Sequence, residues 1–103
     1  MATNNEKEYA KFWEMAYDEG DREMDESLCK SVYTLNTWRD EEKAEARKLL
    51  EEGYWLHFDS TCIGHTLANI VQMNGIKWAF DEYGFALTLA KRKGWSGWYV
   101  RLK

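Results

Sequence analysis

Proline is missing from this chain, and cysteine and histidine each occur only twice among 103 residues. Two cysteines are too few for a disulfide framework, and the sequence offers no low-complexity linker between domains. No run of about eighteen apolar residues is present, so no segment is expected to span a membrane. The polar start, MATNNEKEYAKFW, lacks the apolar core of a signal peptide. We therefore expect a cytoplasmic protein whose cysteines are thiols.

The motifs of nucleotide-binding and metal-dependent enzymes are also missing. The sequence contains no phosphate-binding glycine loop, no dinucleotide-binding fingerprint, no metalloprotease helix motif and no EF-hand loop. The carboxylates fall mainly in stretches with helical periodicity, and no two of them stand out as a general acid and base. These absences favour a protein without catalytic activity and without a cofactor.

Aromatic side chains, by contrast, are abundant. Hydrophobic residues make up 45% of the chain and aromatic residues 16%, with six tryptophans and six tyrosines. Because each large ring buries much apolar area, residues 1–103 can close one hydrophobic core and are expected to form a single domain. Aromatic residues beyond the need of the core could line an interface between copies, so a homodimer is one option.

The net charge of −4 is spread unevenly along the chain. Residues 1–53 contain 15 acidic and 8 basic residues, whereas residues 54–103 contain 3 acidic and 6 basic residues. The two halves therefore carry net charges of opposite sign. Such asymmetry bears on the choice of partner and on the rate of encounter more than on the fold.

The N-terminal half is predicted to be mainly helical. Aromatic residues recur at helical spacing over residues 6–19, with Asn5 as the cap of this first helix. We interpret residues 27–35 as a helix, although their β-branched residues leave a strand as the alternative. The stretch DEEKAEARKLLEEG predicts a further helix, which follows a capping signal at Thr37 and ends at Gly53.

The C-terminal half is predicted to be mainly strands. A strand over residues 54–58 precedes a helix over residues 60–74, which we expect Asp59 or Ser60 to cap and Asn74-Gly75 to end. Apolar and polar residues then alternate in three segments, residues 76–80, 85–89 and 98–102. The expected class is α+β: two or three N-terminal helices, a short strand, a helix, and a three-stranded antiparallel meander packed on the helices.

The segment HFDSTCIGH, residues 57–65, concentrates the reactive side chains of the chain. Its candidate metal ligands are His57, Asp59, Cys62 and His65. We assign no metal to them, because their spacing matches no standard zinc motif and no paired Cys-x2-Cys is present. A nucleophilic pair of Cys62 and His65 is disfavoured, because the chain supplies no histidine from a distant segment. The segment is interpreted mainly as a capped strand-to-helix junction, with a zinc or thiol site as the third hypothesis for function.

An acidic surface on the first helix and the loop after it is the first candidate for function. Its residues are Glu6, Glu14, Asp18, Glu19, Asp21, Glu23, Asp25 and Glu26. Carboxylates placed where phosphates would lie can engage a basic groove, so we expect a larger protein as the partner, with nucleic-acid-processing proteins as one class. The size and charge suit phage-encoded inhibitors and immunity proteins. We therefore expect a small, non-catalytic protein that binds and inhibits or modulates this partner.

The alternative is a nucleic-acid-binding module at the C-terminal end. Basic charge beside aromatic planes is typical of sites for single strands. A predicted hairpin combines the two in Lys91, Arg92, Lys93, Trp95 and Tyr99. We rank this alternative second, because the chain lacks the strongly basic balance of nucleic-acid-binding domains.

Overall fold

In the described part of the chain, three helices pack on one face of a four-stranded sheet. The computed structural model describes residues 2–19, 26–34, 39–60, 65–91 and 97–103. Its helices are α1 (Ala2–Glu19), α2 (Asp40–Glu51) and α3 (His65–Tyr83). Its strands are β1 (Cys29–Thr34), β2 (Trp55–Ser60), β3 (Leu87–Lys91) and β4 (Trp98–Leu102), with short 3-10 helices at Glu26–Leu28 and Gly84–Ala86. Among these described helices, none combines the length and the apolar character needed to cross a membrane.

The strands lie in the order β1-β2-β4-β3. β1 and β2 are parallel, with α2 as the connection between them, and β3 and β4 form an antiparallel hairpin. β2 and β4 are antiparallel and are registered at one pair of residues, Leu56 with Val100. The α+β class is confirmed, but the expected three-stranded meander is wrong. A parallel pair needs a crossover, and here α2 supplies it.

The interpretation of residues 27–35 as a helix is wrong, and the alternative of a strand is confirmed. After one 3-10 turn, β1 places Val32 in the core, where it is 1% exposed, and leaves the next residue, Tyr33, 55% exposed. Alternating burial of this kind is the signature of a strand with one face on the core. Pairing with β2 decides the conformation, because the β-branched residues fit a pleated surface.

The predicted end of the fourth helical segment at Asn74-Gly75 and the predicted strand over residues 76–80 are also wrong. α3 runs without interruption to Tyr83. Its buried residues are Val71, Gly75, Ile76, Ala79 and Phe80, a spacing of four, one, three and one residues that places them on one helix face. The stretch Ile-Lys-Trp-Ala-Phe fits both the two-residue period of a strand and the 3.6-residue period of a helix, and in the structure it is helical.

Glycine ends α2 as predicted. The amide of Gly53 donates to the Leu50 carbonyl at 3.1 Å, and the amide of Tyr54 donates to the Leu49 carbonyl at 3.1 Å. Gly53 has φ of +93°, the left-handed conformation that this pair of hydrogen bonds requires at a helix end and that glycine adopts without strain.

Of the three predicted N-terminal caps, the one at Asn5 is wrong and the other two stay predictions. Asn5 lies inside α1, which begins at Ala2, so it does not cap that helix. Asp59 and Ser60 are the last two residues of β2, and residues 61–64, which separate them from His65 of α3, lie outside the described residues. Thr37 lies outside the described residues, and the residue at the cap position of α2, Arg39, makes no side-chain capping bond.

Successive residues of each strand face two different clusters. The main core contains Phe12 and Ala16 from α1, Ala46 and Leu50 from α2, Ile76, Ala79 and Phe80 from α3, and Val32, Leu56, Phe58, Leu87, Leu89 and Val100 from the strands. The second cluster, on the opposite sheet face, consists of Trp55, Ala90 and Tyr99 with Cys29 packed against them. Along β2, Leu56 and Phe58 thus belong to the main core, whereas Trp55 belongs to the second cluster.

Candidate functional site

The two layers of the fold carry opposite net charge. The three helices contain twelve acidic and six basic residues, whereas the four strands contain one acidic and three basic residues. The helical layer is therefore net −6 and the sheet net +2. The charge difference between the two halves of the sequence thus becomes a difference between two layers in space.

The acidic residues singled out from the sequence are only partly within the described structure. Glu6 and Glu14 are exposed on α1. Asp18 and Glu19 belong to the last turn of α1, and Glu26 starts the 3-10 helix before β1, but their side chains are not among those described. Asp21, Glu23 and Asp25 lie outside the described residues.

The helix α2 adds further exposed carboxylates to the helical layer, beyond the predicted residues. Asp40, Glu41 and Glu45 are exposed on it. Two arginines that would offset this charge are engaged within the protein. Arg47 donates to Glu82 of α3 at 2.7 Å with its guanidinium 5.4 Å from the Trp78 ring, and Arg39 donates to Glu42 at 2.8 Å. Sequence reasoning missed α2 as part of this surface, because the Arg47–Glu82 pair joins residues 35 positions apart.

Glu42 is a buried carboxylate at the start of α2, with its side chain 8% exposed. Burial raises its pKa, but the hydrogen bonds from Thr34 of β1 and from Arg39 outweigh burial, so the pKa of Glu42 lies below its ordinary value. The carboxylate thereby fixes the first turn of α2 to the end of β1.

We expect Glu42→Ala to lower the free energy of unfolding by about 1–3 kcal/mol, because it leaves a buried Thr34 hydroxyl without its acceptor. The lowered pKa means that the wild type loses this contribution as the pH falls from 4.5 through the folded-state pKa. Urea denaturation at neutral and acidic pH measures both effects. The exposed neighbour Glu41→Ala is the matched control, and equal destabilisation by the two variants would contradict the role given to Glu42.

The basic hairpin proposed for nucleic acid is also partly described. Lys91 is exposed at the end of β3, whereas Arg92, Lys93 and Trp95 lie outside the described residues. Tyr99 is only 5% exposed, and its ring centroid lies 5.0 Å from that of His57. The ring of Tyr99 therefore does not offer an open face for a base, which weakens this alternative.

The zinc hypothesis for residues 57–65 finds no support in the described residues. Cys62 lies outside them, and His65 begins α3 with a side chain that is not described. No group of three or more potential metal ligands occurs within the ranges that the structure covers. Asp59 accepts a hydrogen bond from the Ser60 amide at 2.8 Å.

His57 lies in a polar cluster between β2, α3 and the start of β4. Its Nε2 atom is 3.0 Å from the Nε2 atom of Gln72, and the Gln72 Oε1 atom accepts a hydrogen bond from the Trp98 amide at 3.3 Å. A Cβ atom at Gly97 would lie 2.6 Å from His57 Nε2, so only glycine permits this approach. Nothing in the sequence singles out Gln72, because a lone glutamine on a helix has no distinctive spacing.

The surroundings of His57 favour its neutral form. Its side chain is 16% exposed, and burial lowers its pKa below the ordinary 6.5, while the nearby Asp59 acts in the opposite direction. The Nδ1 atom of His57 is 3.8 Å from the Asp59 Oδ2 atom, beyond a direct hydrogen bond. Near neutral pH the imidazole therefore serves as an uncharged hydrogen-bonding group.

Comparison with known proteins identifies no relative. No family model matches the chain, and neither a curated protein nor a solved structure is significantly similar to it.

Two candidate regions therefore stand on geometry alone. The first is the acidic helical layer, defined by the exposed carboxylates of α1 and α2. The second is the polar bridge of His57, Gln72 and the Trp98 amide. The first suits an interaction driven by charge, whereas the second joins elements inside the protein.

Proposed function

We propose that this is a small, non-catalytic cytosolic protein that binds and inhibits or modulates a larger protein through its acidic helical layer. The single observation that carries the proposal is the separation of charge between the two layers, net −6 for the helices and net +2 for the strands. A surface with one dominant sign of charge steers a partner of the opposite sign and fixes its orientation on contact.

The arrangement of the basic residues supports this proposal. Arg39 and Arg47 are paired with Glu42 and Glu82, so each arginine offsets the carboxylate that it binds rather than Glu6, Glu14 or Glu45. The exposed carboxylates Glu6, Glu14 and Glu45 then act together on a partner. The partner is expected to present a basic groove, which is the kind of surface that proteins build to hold nucleic-acid phosphates.

Neutralising three exposed carboxylates tests the proposal. We expect the variant Glu6→Gln, Glu14→Gln, Glu45→Gln to bind the partner at least about tenfold more weakly at low salt, because fast association depends on charge steering. The fold should be unaffected, because exposed substitutions change the free energy of unfolding by less than about 0.5 kcal/mol. The partner is first captured on the immobilised wild-type protein from nuclease-treated lysate, and its affinity is then measured by biolayer interferometry.

The matched control neutralises three exposed lysines, two in the strands and one directly after β4: Lys30→Gln, Lys91→Gln, Lys103→Gln. This control should bind as the wild type does. Binding that is lost on nuclease treatment, or that the lysine variant weakens more than the glutamate variant, would reject the acidic layer and favour the nucleic-acid alternative.

A further inference from the structure

Gln72 connects β2, α3 and the start of β4 through the two ends of its side-chain amide. The Trp98 backbone amide can only donate, so the atom of Gln72 that faces it at 3.3 Å must be the oxygen. The other end of the same amide is then the NH2 group, which lies 3.0 Å from His57 Nε2. The backbone of β4 therefore fixes which way the Gln72 amide points.

This orientation also fixes where the proton of His57 resides. An amide NH2 group can only donate, so His57 Nε2 must be the acceptor and must carry no hydrogen. Neutral His57 then holds its proton on Nδ1, on the side of Asp59. The chain of donors and acceptors runs in one direction, from Trp98 to Gln72 and from Gln72 to His57.

A second proton on His57 is incompatible with this chain. Protonated Nε2 is a donor and would face the NH2 group of Gln72. If the amide turned by 180° to offer its oxygen, the NH2 group would instead face the Trp98 amide. One of the two hydrogen bonds is lost in either orientation, and Gly97 packs too closely on the imidazole for the ring to turn freely.

We propose that His57, Gln72 and the Trp98 amide form an acid-sensitive bridge, and that a proton on His57 releases the start of β4 from α3. The proposal goes beyond the binding function and does not depend on it. Because the folded-state pKa of His57 lies below 6.5, the bridge stabilises the fold fully above pH 6.5. That contribution is lost as the pH falls through the folded-state pKa.

The groups around His57 set the pH at which the bridge opens. On β2, Asp59 stands 3.8 Å from Nδ1, and on β4, Tyr99 packs its ring against the imidazole. Ser31 is the neighbour of His57 across β1, and Arg101 of β4 covers the ring of Trp55 at 4.7 Å. Asp59 is the nearest carboxylate among these groups.

Nuclear magnetic resonance of the 15N-labelled protein tests the proposal directly. The imidazole 15N shifts are expected to show neutral His57 with its proton on Nδ1. The hydrogen-exchange protection factor of the Trp98 amide should fall about tenfold in step with His57 protonation as the pH is lowered below 6.5, since one hydrogen bond is removed. The amide of Thr88, which faces Arg101 in a hydrogen-bonded pair of the β3–β4 hairpin, is the internal reference and should keep its protection.

The variant Gln72→Glu should abolish this pH response. A carboxylate accepts both from the Trp98 amide and from protonated His57, so the His57 pKa should rise by about one unit or more, while Trp98 stays protected. Asp59→Asn should act oppositely, lowering the His57 pKa and shifting the loss of Trp98 protection to lower pH by the same amount. A neutral His57 protonated on Nε2, or Trp98 protection that ignores His57 titration in the wild type, would overturn the proposal.

Discussion

Replacing Gly75 by alanine is expected to destabilise the protein by about 1–3 kcal/mol, although alanine is the better helix former. A Cβ atom at position 75 would lie 2.2 Å from Cγ of Phe58 and 2.7 Å from its Cβ. Phe58 is fully buried, so its ring has no open space to move into. The helix therefore needs glycine here for close approach to the sheet. Urea denaturation of the purified variant measures the change in the free energy of unfolding.

Two comparisons separate this contact from a general effect of the substitution. Asn74→Ala, at the exposed neighbouring position of α3, should be neutral or slightly stabilising. In a Phe58→Ala background, which itself loses about 3–5 kcal/mol, Gly75→Ala should destabilise by less, because the Cγ and the ring have gone and only the close approach to the Cβ atom at position 58 remains. If Gly75→Ala is equally harmful with and without the Phe58 ring, the contact is not the reason for the glycine.

The second large effect is expected for Phe80→Ala, which should lower the free energy of unfolding by about 3–5 kcal/mol. Phe80 is 2% exposed, and its ring centroid lies 5.0 Å from that of Phe12 and 5.4 Å from those of Tyr9 and Phe85. Tyr9 and Phe12 belong to α1, so the rings fix α1 to α3. We therefore expect the amides of α1 to lose hydrogen-exchange protection first in this variant.

Phe85→Ala is the matched control for this aromatic cluster. Phe85 contacts the rings of Phe12 and Phe80 but is 37% exposed, so its removal opens little cavity and should lose less than about half as much free energy. Equal losses from Phe80→Ala and Phe85→Ala, or protection of α1 that survives Phe80→Ala, would show that these rings do not hold the helix.

The elements that the sequence predicted well are those whose local signals agree with one another. In α2 the acidic first turn, the helical spacing and Gly53 all favour one helix, and β4 alternates without ambiguity. The failures come from segments with two compatible periods. In residues 76–80 apolar and polar side chains alternate as they would in a strand, yet the same residues continue the buried face of α3. Residues 27–35 become a strand because β2 lies beside them, and pairing partners are not visible in local sequence.

The candidate sites were predictable to different degrees for a similar reason. Exposed carboxylates on α1 are readable from composition and spacing. The contribution of α2 is not, because the Arg47–Glu82 pair depends on two helices meeting in space. No sequence pattern marks Gln72, because its role depends on the contact of α3 with β2 and with the start of β4. The sequence predicts a helix end at Gly75. In the structure this residue lies inside α3, and its missing side chain allows the helix to approach Phe58 of the sheet closely.

The single registered pair between β2 and β4 has a mechanical consequence. β1 and β2 form one ladder, β3 and β4 form another, and Leu56 with Val100 joins the two. A force that pulled the outer strands apart would meet few backbone bonds at this seam. The load would pass instead through the rings of Phe58 and Phe80 and through the helices behind them. We therefore expect the helical layer, rather than the sheet, to resist separation across the middle of the molecule.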